Sequence, residues 1–235
     1  MVTVALLCGA QGCRDVQPQW RVIDRPGKAI VGQRNTHATS GVWVARHYGW
    51  DDPELTDKRS VAAMNLYMVE DCGGCPVPSI WHIATGLQDY LQVERVEGVE
   101  ITERVRYTKD PLERADFEDY KASIDDNRPV ILTFCYDAGT GEDPAYARQR
   151  AIRAFSAVGI GYIERGGRRY VICHDGFDSP PVRHKAIEDQ VAAEDLGLGR
   201  QSGPWQQTGT SIYRWDGKHE NVVMVFVRPA QKRRE

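Results

Sequence analysis

The stretch FSAVGIGY at 155 to 162, followed by GGRRYVICHDGF at 166 to 177, constrains the fold of this chain more than any other segment. An apolar run ends in Gly161 and Tyr162, two glycines follow, and a second apolar run ends in His174 and Asp175. Paired glycines between strand-like runs supply the positive φ that a tight hairpin turn needs, so two antiparallel strands are expected. PVILTFCYD, from Pro129, is a continuous apolar run of strand length. That pattern belongs to a central strand covered on both faces. VEGVEITERVRY alternates as a further strand, and SIYRWDG with ENVVMVFVRP reads as a closing hairpin.

The first half of the chain reads differently. THATSGVWVARHYGW predicts a helix from about Thr39 to Tyr48, with Thr36 to Thr39 as the entry turn and Gly49 as the stop. A second helix follows, with Val61, Met64 and Met68 at helical spacing. PSIWHIATGLQDYLQ puts Ile80, Ile83, Leu87 and Leu91 on one face of a third. DPLERADFEDYKASIDDN is a fourth, with Leu112, Tyr120 and Ile124 inward and Asn127 as its stop. Residues 178 to 210 form an excursion with a short helix near KAIEDQVAAEDL. Helices first and an antiparallel sheet afterwards make an α+β fold, with an N-terminal helical half packed on the sheet.

Charge excludes some partners. A net charge of −3 gives no long-range attraction to nucleic acid or to anionic lipid, and the basic QKRRE tail is short enough to be simply solvated. No apolar run approaches the roughly 20 residues of a spanning helix. VTVALLCGAQGC is a short apolar run with small residues before Cys13, like a lipoprotein signal but without a preceding Lys or Arg. Its other reading is a first strand and loop, so the compartment stays open between cytoplasmic and exported. Residues 1 to 29 are set apart as an N-terminal extension.

Six cysteines include Cys8 and Cys13 at C-x4-C and Cys72 and Cys75 at C-x2-C. Two close-spaced thiolate pairs are a weak alternative for tetrahedral zinc, and C-x2-C opening a helix would be redox-active. Two glycines inside CGGCPVP and two prolines after it point instead to a loop holding a structural disulfide or free thiols. Cys135 and Cys173 lie in strand-like runs and are expected to be buried apolar residues.

The order of these pieces resembles a known family. A helix ending in HYG, a second helix, a third ending in GLQDYL, a short helix, RPVILTF, AVGIGY and YVICHDGF together resemble the papain-like cysteine peptidases. The branch they look most like is that of the bacteriocin-leader peptidases, family thirty-nine of the cysteine peptidases. The likeness covers roughly residues 30 to 178 and implies a papain-like domain over residues 30 to 235. In that superfamily a thiolate on the first helix's N-terminal turn attacks a carbonyl. A histidine starting a strand takes the proton, an Asp or Asn on the next strand orients it, and an upstream Gln binds the oxyanion. The resemblance places the nucleophile position at Thr36, within Thr36, His37, Ala38, Thr39 and Ser40. It places the histidine position at Phe155, before Ser156 and Ala157, and the orienting carboxylate at Asp175. Gln33 falls near the oxyanion position, closer to Thr36 than the family pattern.

Thr36 has an unactivated hydroxyl that needs a base, and Phe155 accepts no proton. The expected function is therefore that of a pseudo-peptidase that holds a peptide or protein in the former cleft and needs no cofactor. An active peptidase or acyltransferase relative with a rewired site is the first alternative. It would draw on His37, His82, His174, Cys135 or Cys173. A purely structural domain is the second. Strand alternation aims His174 away from the face that carries Asp175.

Overall fold

The structure is a computed structural model that describes residues 19–32, 35–71, 76–78, 82–136, 154–177, 189–198, 203–219 and 221–230. Its elements run β1 (Gln19–Val22), α1 (Thr36–His47), α2 (Asp57–Tyr67), β2 (Val69–Asp71), β3 (Pro76–Pro78), α3 (Ile83–Val93) and β4 (Glu100–Val105). They continue with α4 (Phe117–Asp125), β5 (Val130–Cys135), β6 (Ala154–Arg165), β7 (Arg168–His174), β8 (Thr210–Arg214) and β9 (Asn221–Arg228). β2 and β3 pair alone, while the other seven strands form one sheet in the order β4-β9-β5-β6-β7-β8, with β1 on β6. Every strand pair in it is antiparallel, so the class is α+β.

β5 is buried at every position and paired on both sides, by β6 and β9. The turn between β6 and β7 holds Gly166 at φ 56 and Gly167 at φ 74, a geometry that L side chains rarely adopt. β6 serves two neighbours along one edge. Ala154 to Gly159 pair with β5, and Gly161 to Glu164 pair with β1. Gly161 is required by that handover, because a Cβ there would stand 2.4 Å from the Arg21 carbonyl oxygen. Residues 19 to 22 thus belong to the same sheet as the later strands, and Ile23 and Ile30 lie in the same core.

α1 starts at Thr36, three residues before the expected Thr39. The Asn35 side chain accepts the N–H groups of His37 and Ala38 at 3.0 and 3.1 Å, so Thr36 to Thr39 form the first helical turn. Val61, Met64, Met68, Ile83, Leu87 and Leu91 are all buried as their spacing predicts, whereas Ile80 lies outside the described residues. Leu112 corrects the reading of α4, being 83% exposed. The helix begins only at Phe117, behind an Asp116–Asp119 capping box, and Leu112 sits in the preceding turn with its N–H on Asp110.

The closing hairpin is also corrected. β8 pairs with β7, while β9 lies between β4 and β5. Such a connection is possible because the sheet curls: Phe134 on β5 and Tyr213 on β8 approach to 5.5 Å between ring centroids. In the excursion Asp189 is helical, residues 185–188 of the expected short helix lie outside the described residues, and a single 3-10 turn spans Glu194–Leu196. A second such turn spans Pro204–Gln206.

The sheet has two unlike faces. Thr133, Ser156 and His174 meet α1, through His37 and Trp43. On the other face, Phe134, Phe155 and Tyr213 continue into Tyr120, Phe117 and Trp215, an aromatic interior whose pairs add about 0.5–1.5 kcal/mol each beyond their buried area.

Candidate functional site

Thr36, the first residue of α1, lies against the start of β6, and its Oγ1 accepts the Ser156 N–H at 3.1 Å. The strand side chain facing this turn is Ser156, whose Oγ stands 2.6 Å from His37 Nδ1 and 2.6 Å from Thr133 Oγ1. All three side chains are buried. Burial lowers the His37 imidazole to about 4, so the ring is neutral at pH 7 and able to accept a proton. The rest of the helix entry is closed on itself. Asn35 holds two backbone N–H groups, Thr39 Oγ1 donates to the Asn35 carbonyl at 2.6 Å, and Ser40 Oγ donates to that of Thr36 at 2.9 Å.

Phe155 turns to the opposite face. It stacks on Phe134 at 5.1 Å and contacts Phe177 at 5.7 Å and Tyr213 at 5.6 Å. Asp175 shares that face. Its Oδ2 accepts the Tyr213 hydroxyl at 2.7 Å and its Oδ1 accepts the Phe177 N–H at 3.1 Å, an Asx turn over Gly176. Burial pushes the Asp175 carboxyl above its ordinary value, against the hydrogen bonds from Ser211, Tyr213 and Phe177. The structure thus joins Phe155 and Asp175 through Phe177 and Tyr213, while Thr36 meets β6 from the other side, at Ser156.

His174 points to the α1 face, its ring 5.1 Å from that of Trp43, with Nε2 donating to the Pro26 carbonyl and Nδ1 bonded to Thr210. Burial lowers it to about 4. His82 is half-buried at the start of α3. Cys135 and Cys173 are buried in their strands. Gln33 and the Cys8, Cys13, Cys72 and Cys75 set lie outside the described residues. Among the described residues no group of His, Cys, Asp or Glu is placed to hold a metal ion, and no helix is long and apolar enough to cross a membrane.

A second polar centre escaped the sequence reading. Asp189 is buried and accepts the Lys218 N–H at 2.6 Å, the His219 N–H at 3.2 Å, His219 Nδ1 at 3.3 Å and the Tyr136 hydroxyl at 3.2 Å. Burial pushes its carboxyl up, but the bonds from His219, Lys218 and Tyr136 more than offset this and hold it below the ordinary value. An Asp–His pair has the form of a catalytic dyad, yet His219 Nε2 is taken by Arg106 Nη1 at 3.1 Å. That leaves no imidazole nitrogen for a substrate. The centre ties the crossover between β8 and β9, where Arg106 also donates to the Trp215 carbonyl and to Asp216.

The role of Asp175 is testable by substitution. Asp175→Asn keeps an oxygen acceptor and is expected to cost under about 1 kcal/mol, whereas Asp175→Leu strands the Tyr213 hydroxyl and the Phe177 N–H and should cost about 2–4 kcal/mol. Urea midpoints of the two variants measure the difference, and equal small losses would show that the carboxylate fastens nothing.

Comparison with protein-family models and with curated proteins gives no match for this chain.

Proposed function

We propose that this chain is a papain-like domain without peptidase chemistry, acting by holding an extended peptide or protein segment. The packing of Phe155 supports this most. Against the expected juxtaposition, Phe155 turns away from Thr36, its ring only 2% exposed and enclosed by Phe134, Phe177 and Tyr213. The side chain that faces the helix entry is Ser156, so the aligned position brings no imidazole to Thr36. Thr36 is likewise engaged as an acceptor for a backbone N–H, with no base on its hydroxyl among the described residues. The N–H groups that would polarise a nucleophile at the helix entry are spent on Asn35.

A groove of about 390 Å³ supports the reading. It runs between β8 and residues 190–194 and is lined by Gln190, Val191, Gln206, Thr210, Ser211 and Ile212. β8 is the last strand in the sheet order, and Ser211 joins the groove wall to Asp175. Gln190 and Val191 already pair with Tyr213 and Ile212 along this edge, so a segment in the groove would be held by the side chains that line it rather than by addition to the sheet. The test exposes the purified chain to a mixed peptide library and follows both retention and cleavage by mass spectrometry. Retention of a subset without cleavage is expected. Cleavage abolished by Asp175→Ala overturns the reading, and neither retention nor cleavage leaves only a structural role.

One contact favours a relocated acyl-transfer site as the second reading: Ser156 Oγ lies 2.6 Å from a neutral imidazole. Against it, Ser156 is 1% exposed and its hydroxyl is also held by Thr133. Fluorophosphonate labelling that disappears in Ser156→Ala would establish this second reading, and no labelling is the expected result.

A further inference from the structure

A cleft of about 120 Å³ lies between α4 and the β4–β9 pair, lined by Thr102, Arg104, Ser123, Arg128, Phe226 and Arg228 together with the carboxylates of Glu100 and Asp119. Strand alternation builds one wall. Thr102 is paired with Phe226 and Arg104 with Met224, so Thr102 and Arg104 project to the face that α4 covers.

Its polar groups are unevenly committed. Asp119 already accepts the Asp116 N–H at 2.9 Å, and Ser123 Oγ donates to the Arg128 carbonyl at 3.2 Å. Arg128 donates through one nitrogen to Asp126 at 2.6 Å, and Arg228 stands 3.9 Å from Glu100 across an exposed edge. Arg104 is half-buried, yet among the described residues its guanidinium has no hydrogen bond or ion pair. A guanidinium partly removed from water without an acceptor is unfavourable, and its planar set of five donors matches oxyanions. Among the described residues the uncommitted donors are the Arg104 fork, the remaining Arg128 N–H groups and the Thr102 hydroxyl. Neither cleft carboxylate bonds them, Asp119 being turned to the Asp116 N–H and Glu100 towards Arg228. The volume falls well below the roughly 300–1,000 Å³ of drug-sized pockets, so the occupant is one compact group.

We propose that this cleft binds a tetrahedral oxyanion, a phosphate group either free or on a small monoester, with Arg104 as its principal ligand and Arg128 and Thr102 completing the contact. A tetrahedral anion offers acceptors to donors converging from β4 on one side and from the end of α4 on the other. A planar carboxylate satisfies one fork only. The proposal is independent of what happens at Phe155, on β6, and at Asp175, just after β7.

Calorimetric titration of the intact chain with inorganic phosphate, glycerol phosphate and acetate at constant ionic strength tests it. Saturable binding of phosphate or of glycerol phosphate is expected, and whichever is tighter identifies the source. Arg104→Gln should weaken it about tenfold or more, while Arg59→Gln on the exposed face of α2 should leave it unchanged. Among the described residues Arg104 has no hydrogen-bond or ion-pair partner to lose, so an unchanged unfolding midpoint certifies the variant. No saturation up to about 10 mM, equal affinity in Arg104→Gln, or acetate binding as tightly as phosphate overturns the proposal.

Discussion

Asp189→Ala is expected to be the most destabilising single substitution considered for this chain, at about 3–5 kcal/mol. The carboxylate collects two backbone N–H groups, an imidazole N–H and a phenol within a buried pocket. Truncation removes the acceptor that all four donors share where water does not replace it, and buried donors left unmade carry their full desolvation penalty. The His219 ring would then face Arg106 with nothing orienting its other nitrogen. Asp189→Asn should fall between the two, because three donors converge on one oxygen and one on the other, so the amide nitrogen must face a donor. Urea denaturation at neutral pH measures both. A loss under about 1 kcal/mol for Asp189→Ala would mean that the crossover between β8 and β9 is held by other contacts.

Acid should loosen the contact between α1 and the sheet. His37 and His174 both sit in it, and burial lowers each to about 4 from an ordinary 6.5. The unfolded chain therefore takes up protons below about pH 6.5 that the folded chain refuses until about pH 4. The stability held by neutral imidazole is complete above 6.5 and is lost progressively as pH falls through that window. Two such groups amount to roughly 6 kcal/mol by pH 4. Asp175 works the other way, since its raised carboxyl takes up a proton in the folded state first and recovers part of the loss. Urea midpoints between pH 7.5 and 4.5 should fall steeply, and a His174→Asn variant should show a shallower fall. A flat profile would mean that both rings are solvated.

Much of this fold could be read from residue pattern, because the elements concerned obey local rules. The unbroken apolar run of β5, the glycine pair after β6, and the helical spacing of Val61, Met64, Ile83, Leu87 and Leu91 each need only their own segment. Where non-local contacts decide, the reading failed. Leu112 was counted as an inward residue because it falls in step with Tyr120 and Ile124, yet the Asp116 cap starts the helix after it. β8 and β9 were paired because only a short turn separates them, whereas the curl of the sheet lets that turn cross to another neighbour.

The candidate site divides in the same way. Asp175 was visible as an Asp before Gly after an apolar run, and its Asx turn follows from that local chemistry. Ser156, Tyr213, Asp189 and His219 carried no comparable signal. Their partners lie 119, 38 and 30 residues away along the chain, and none stands in a spacing that marks it.

The position of β9 in the sheet has a consequence for how the polypeptide is made. β4 and β5 leave the ribosome long before β9, yet the two meet only through it. During synthesis each therefore presents an unpaired edge, and β5, apolar at five of its six residues, is the kind of strand that recruits other chains. Closure waits for Asn221–Arg228 to slide between them, a long-range step that topology makes slow. The nascent chain is thus most vulnerable to aggregation in the interval before its last strand emerges.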